Sequence, residues 1–223
     1  MDRNTVREQG ASTGERRWSP RQRQLFNEFE ALFLEEGFRH LTIADLADRL
    51  HCSRRTLYTL APSREELVLI VIDRLLNRIG ANARRVADSC SDPGDAIAAY
   101  LEAGVTSLRG ARPAFNDDVE SYGPTKQLYN RHLRTALDVL ASFVDRGIQQ
   151  GVFRQLNASL VAEILDASVG RIRRQDVLDR TGVSLTEAVE ELTSLIRTGL
   201  VRPVQRPARN TSARTNAQRS ETP

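Results

Sequence analysis

The chain has little with which to build a cross-linked or metal-bound scaffold. Of its 223 residues only two are cysteine, Cys52 and Cys90, and three are histidine, His40, His51 and His132. Two thiols cannot make a disulfide framework or, alone, a four-ligand zinc site, and the histidines are scattered along the sequence. Aromatic residues are sparse, at 5%. No unbroken apolar run exceeds six residues, as at Leu67–Ile72, far short of the roughly 18 that a membrane span needs. Met1-Asp2-Arg3-Asn4-Thr5 has no apolar core of a secretory signal, so the sequence reads as cytoplasmic. There is no Walker-type phosphate loop, no H-E-x-x-H and no C-x-x-C, so no enzyme, cofactor or metal is expected. The bulk composition is ordinary: 40% hydrophobic residues suffice for a packed core and exclude disorder throughout.

Charge is informative through its placement. The net charge is +3, from 32 basic and 29 acidic residues, and Lys126 is the only lysine. Residues 201–223 hold five arginines, Arg202, Arg206, Arg209, Arg214 and Arg219, against the single acid Glu221. With the slightly basic first 17 residues also set aside, residues 18–200 are net negative. Both termini are polar and aperiodic, too poor in apolar surface to offset the entropy of ordering, and are expected to be flexible over 1–17 and 203–223.

Between them the pattern is helical almost everywhere. Start signals recur at Ser19-Pro20-Arg21-Gln22, Thr42-Ile43-Ala44-Asp45, Ser63-Arg64-Glu65-Glu66 and Ser184-Leu185-Thr186-Glu187. Each sets a hydroxyl where it accepts from an orphan backbone N–H, with an acid or amide three residues on. Leu25, Phe26, Phe29, Leu32 and Phe33 make one apolar stripe at helical spacing, closed by Gly37. No sustained period-2 pattern or internal repeat is present. The expectation is an all-α fold of about nine helices, near 19–36, 43–50, 53–60, 63–88, 93–109, 115–123, 125–150, 158–180 and 184–200. Short helices come first and long ones later. That predicts a small N-terminal domain over 18–62 and a helical body over 63–202.

The segment 37–67 carries the functional signal. A short helix from Ile43, with Leu46, Ala47 and Leu50 facing inward, is followed by the link His51-Cys52 and a second helix capped by Ser53. This is helix-turn-helix logic, in which the second helix enters the DNA major groove. Residues 49–64 contain Arg49, Arg54, Arg55 and Arg64 and no acid. Arginine in the first turn of such a helix suits bidentate contact to guanine O6 and N7. Thr56 and Tyr58 bring hydroxyls for phosphate or thymine-methyl contact, and Thr42 and Arg64 stand at helix starts whose free N–H groups attract phosphate. Thr42, Ser53, Arg54, Arg55, Thr56, Tyr58 and Arg64 are the candidate DNA-binding residues. Cys52 reads as an apolar plug of the turn.

The run Gly37-Phe38, Thr42-Ile43, Asp45-Leu46-Ala47, Ser53, Thr56-Leu57-Tyr58 and Ser63-Arg64-Glu65-Glu66-Leu67 resembles, in register, the TetR family of bacterial transcriptional regulators. The likeness is specific over roughly 21–67. The chain departs from the family pattern at three places. His51-Cys52 replaces the usual Gly-Val of the turn, Arg55 replaces a small residue before the threonine, and Leu60-Ala61 replaces an aromatic pair. The resemblance implies a repressor acting as a homodimer on a palindromic double-stranded operator and released by a small-molecule effector.

It also implies roles for the body. An effector site among the central helices would draw on Tyr100, Phe115, Tyr122, Tyr129, His132 and Phe143, with the Tyr122-Gly123-Pro124 break at its rim. A dimer interface on the last two long helices would use Val161, Ile164, Leu165 and Ser168 with Leu185, Ala188, Val189, Leu192, Leu195 and Ile196. Ala167, Ser168 and Gly170 permit close helix approach. The competing expectation is a helical small-molecule-binding or protein-interaction module that has lost specific DNA reading, motivated by the three departures.

Overall fold

In a computed structural model the described residues are 18–200 without Arg109. The terminal segments expected to be flexible, 1–17 and 203–223, lie outside them. The described residues form ten helices and no strand: α1 (Pro20–Glu36), α2 (Ile43–Arg49), α3 (Arg54–Leu60), α4 (Arg64–Asp88), α5 (Pro93–Ser107), α6 (Pro113–Ser121), α7 (Gly123–Gln149), α8 (Ala158–Ile172), α9 (Gln175–Thr181) and α10 (Leu185–Leu200).

The caps follow from the side chains that precede each helix. Ser19 and Gln22 complete a reciprocal capping box at α1, and Thr42 and Asp45 another at α2. Ser53, Ser63, Asp92 and Asn157 each accept a backbone N–H at the starts of α3, α4, α5 and α8. One expected helix, 158–180, is two. Arg173 ends α8, and Arg174 adopts an extended conformation (φ −75°, ψ 134°) before α9. Asp176, in the first turn of α9, is held by Arg171 across the break and by Arg174 within it, at 3.2 and 2.9 Å. Periodicity does not reveal the break because neither Gly nor Pro marks it.

Two apolar clusters organise the molecule. The first joins Leu25, Phe26, Phe29 and Phe33 of α1 to Leu46, Leu57 and Leu60 of α2 and α3, to Leu67–Leu75 of α4, and to Phe115, Val119 and Leu128 of α6 and α7. A chain of tilted rings, Trp18–Phe26–Phe29–Phe33–Phe38–Phe115, runs along it. The core therefore continues beyond residue 62 into the body. The second cluster lies within the body, among Ala83, Ile97, Tyr100, Leu140, Phe143, Phe153, Ala162, Leu165 and Leu200.

Close approach at one glycine seats Phe153. The backbone turns at Gly151, the N–H groups of Val152 and Phe153 both donate to Gly147 O at 3.0 Å, and the Phe153 ring lies where a Cβ on Gly147 would stand, 2.1 Å away.

A buried ion cluster fastens α1 to α4. Glu30 is only 2% exposed. One carboxylate oxygen pairs with Arg74, and the other accepts from Arg78 Nε and Nη2 at 3.0 and 2.6 Å. Arg74 Nη2 also donates to Asn27 at 2.9 Å, and its guanidinium lies over the Phe26 ring.

Candidate nucleic-acid interface

The sequence builds a helix-turn-helix because the apolar positions of α2 and α3 meet under α1. Leu46, Ala47, Leu57 and Leu60 are buried, and Ala47 O accepts from Cys52 N at 2.9 Å to close the turn. His51 takes a left-handed conformation there, φ 47°. That conformation favours glycine, which is why His51 stands out in this turn. Cys52 is half-buried, and burial pushes its thiol up from the ordinary value, as fits a small packing group rather than a reactive thiolate.

The seven candidate DNA-binding residues divide by what already holds them. Thr42 Oγ1 donates to Asp45 Oδ2 at 2.7 Å and accepts from Asp45 N, which keeps the Asp45 carboxyl below its usual range. Ser53 caps α3 by accepting Thr56 N at 3.0 Å, and its hydroxyl bonds that of Thr56 at 2.8 Å. Arg64 turns inward. Its guanidinium donates to the carbonyls of Leu41, Phe38 and Arg39 at 2.5, 2.6 and 2.9 Å, closing the α1–α2 loop from below. That corrects the expectation of a phosphate-contacting Arg64 side chain. Arg49, the fourth arginine of the window, is paired with Glu36, which lowers the pKa of that carboxyl.

Arg54, Arg55 and Tyr58 are all exposed, Tyr58 by 55%. Neither arginine has a hydrogen bond or ion pair among the described residues. On a helix of 3.6 residues per turn, Arg55 lies almost opposite the buried Leu57 and Leu60. Tyr58 and Thr59 flank it, and Arg54 sits about a quarter-turn aside.

The body residues are not brought to one place. Tyr100 and Phe143 meet edge-to-face with centroids 5.7 Å apart, in the second cluster. Phe115 packs on Phe38 in the first cluster, with Tyr122 and Tyr129 beside it. His132 bridges α7 to α4 through Asp73 at 2.9 Å. The six do not line a common cavity. An open recess of about 440 Å³ lies instead beside the turn, between Arg21, Glu28, Leu32, Arg49 and His51.

Of the ten expected interface residues, Leu165 and Val189 are buried within the chain itself, a correction to their placement. Ile164 and Leu195 point outward, 56% and 71% exposed, with Leu160, which the sequence reading omits, at 58%. Val161, Ser168, Leu185, Ala188, Leu192 and Ile196 are half-buried.

Sequence reasoning also misses Asp118 of α6. Its Oδ2 accepts from the backbone N–H groups of Phe38 and Arg39 at 2.6 and 2.8 Å. A contact 80 positions away in sequence leaves no local signal. The string Gly10-Ala11-Ser12-Thr13-Gly14 has G-x-S-x-G spacing. That spacing carries chemistry only on a strand-to-helix turn with triad partners, and the string lies outside the described residues.

These features define an all-α protein with an N-terminal helix-turn-helix set on a helical body. Residues 30–71 match the family described as bacterial regulatory proteins, tetR family. The N-terminal domain belongs to the tetR family. No curated protein sequence matches the chain.

Solved structures share the fold over most of its length. One is described as a putative transcriptional regulator from Saccharomonospora viridis in complex with choline. It is 20% identical, with 81% of this chain and 97% of that one covered and a TM-score of 0.70. The TetR-family regulator PfmR from Thermus thermophilus is 24% identical, over 80% and 100% of the two chains, with a TM-score of 0.59. The fatty acid degradation regulator FadR from Bacillus halodurans is 16% identical, over 83% and 99%, with a TM-score of 0.67. No described helix is long and apolar enough to cross a membrane.

Proposed function

We propose that the protein is a sequence-specific DNA-binding transcriptional repressor that acts as a homodimer on a palindromic operator and responds to a small molecule. The observation that carries this reading is the state of the four arginines in residues 49–64. Two serve the fold and two, Arg54 and Arg55, stand free on the outward face of α3 beside Tyr58. Arg55 faces the floor of the groove and reads guanine, while Arg54 and Tyr58 reach the phosphates at its edge. The N–H groups at the starts of α2 and α4, shaped by Thr42 and Ser63, add phosphate contacts.

Two helix-turn-helix units are needed because one recognition helix reads only a few base pairs. The exposed Leu160, Ile164 and Leu195 lie on α8 and α10, which pack on each other, and a second copy would cover them. An effector acts by binding one arrangement of the dimer better than the other, since equal affinity for both shifts nothing. The S. viridis neighbour solved with choline supports a small-molecule site in this fold.

Footprinting on the DNA upstream of the chain's own gene tests the reading. Specific protection is expected, falling steeply with salt as phosphate neutralisation requires, and lost in the Arg54→Ala/Tyr58→Phe variant. Undiminished protection by that variant contradicts the assigned surface. Leu195→Asp is expected to sediment as a folded monomer; a stable dimer would remove α10 from the interface.

A further inference from the structure

We propose that Asp118 is a positioning residue that fixes the orientation of the helix-turn-helix relative to the body. The α1–α2 loop is held from two sides by side chains of two different helices. Arg64, at the start of α4, donates to three of its carbonyls, those of Phe38, Arg39 and Leu41. Asp118, on α6, accepts its two N–H groups from Phe38 and Arg39. The polar backbone of the loop is thereby divided, carbonyls to a cation and N–H groups to an anion. Charge-assisted bonds of this kind are stronger than neutral ones.

The surroundings are shaped to admit the carboxylate. Gly37 has φ +80°, and a Cβ there would stand 2.6 Å from Asp118 Oδ2 and 3.2 Å from Ala114 O. Beside the carboxylate, Arg39 Nη1 donates to Ser121 Oγ at 3.0 Å, Arg112 N donates to Leu34 O at 2.8 Å, and the Phe38 ring packs on Phe115. All these contacts join the stretch from Leu34 to Arg39 to residues of α6 or its cap. The loop leads directly into Thr42 and α2, so the position of α6 sets the direction in which α2 and α3 are presented. Glu30 fixes α1 to α4 in the interior, where its ion pairs are shielded; the Asp118 contact is nearer the surface and rests on one side chain.

The proposal rests on the reading of the protein as a dimeric operator binder. In such a dimer, engagement of the second half-site depends on both domains being held in register, because loosening lowers the effective concentration of the second domain. Asp118→Ala is therefore expected to lower affinity for the full palindrome about tenfold while leaving affinity for an isolated half-site unchanged. Asp118→Asn, which keeps one acceptor oxygen but no charge, is expected to fall between it and wild type.

The test compares both variants with wild type on palindromic and half-site duplexes, alongside hydrogen exchange of the full chain by mass spectrometry. Faster exchange in 37–41 and in α6, with α4 unchanged, supports the proposal when joined to the selective loss on the palindrome. An equal loss on both duplexes overturns it, because Asp118 would then serve only the local fold of the recognition unit. Unchanged palindrome affinity overturns it also. If the wild-type chain binds neither duplex, the operator-binding reading fails; exchange in α6 that is unaffected by Asp118→Ala would separately disprove the tie itself.

Discussion

Arg55→Ala is expected to erase the preference for guanine at one position in each half of the operator, whereas Arg54→Ala weakens binding to every sequence by a similar factor. The difference comes from where α3 places the two side chains. Leu57 and Leu60 are buried, and Arg55 projects opposite them toward the base edges. A bidentate arginine–guanine pair contributes about 1–3 kcal/mol of discrimination. Per half-site, that corresponds to roughly five- to 150-fold. Arg54, set to the side, has the phosphate chain within its sweep. Its loss should leave the base preferences intact and reduce the salt dependence by about one counterion per protomer. Binding titrations on a panel of singly substituted operators at two salt concentrations separate the effects. A guanine preference that survives Arg55→Ala, or one that vanishes in Arg54→Ala, would exchange or remove the assigned roles.

The second large effect concerns stability. In the Arg74→Met/Arg78→Met variant, Glu30 stays 2% exposed with neither of its cations. Removing the partner of a buried charge typically costs about 3–5 kcal/mol. In a domain of this size each kcal/mol lowers the midpoint by about 2–4 °C, so a fall of about 6–20 °C is expected. Arg78→Met alone should do much less, because that side chain is 54% exposed and Arg74 remains. Adding Glu30→Leu to the double variant removes the stranded charge and should restore most of the loss. Thermal unfolding of the three variants checks the order. A double variant as stable as wild type would mean that Glu30 rehydrates and that the cluster contributes little.

The degree to which this structure is legible from the sequence differs from element to element. Helices α1 to α5 are visible because hydroxyl and acid caps stand at their starts and because Phe26, Phe29 and Phe33 repeat at helical spacing. The α8–α9 break is not, since it depends on Asp176 being gripped by arginines on both sides rather than on a helix-breaking residue. Glu30 does leave a trace. It stands one turn from both Phe26 and Phe33, on the apolar face of α1, where a charge has to be paired to be tolerated.

Within the window 49–64 the cations can be counted from the sequence, but their employment cannot be read there. Arg49 and Arg64 look identical to Arg54 and Arg55 until the Glu36 carboxylate and the loop carbonyls are in place. The aromatic residues of the body illustrate the same difficulty on a larger scale. Tyr100, Phe115, Tyr122, Tyr129, His132 and Phe143 occupy suitable helices, but helical spacing does not determine which of two apolar clusters each one joins.

Selection of genomic DNA fragments by the purified full-length protein tests the central claim most directly. The account predicts enrichment of a palindromic sequence, with half-sites about one helical turn apart or a multiple of it, and a guanine in each half that disappears from the selection made with Arg55→Ala. Recovery of fragments with no common sequence, or the same palindrome from wild type and from the Arg54→Ala/Arg55→Ala variant, would contradict it.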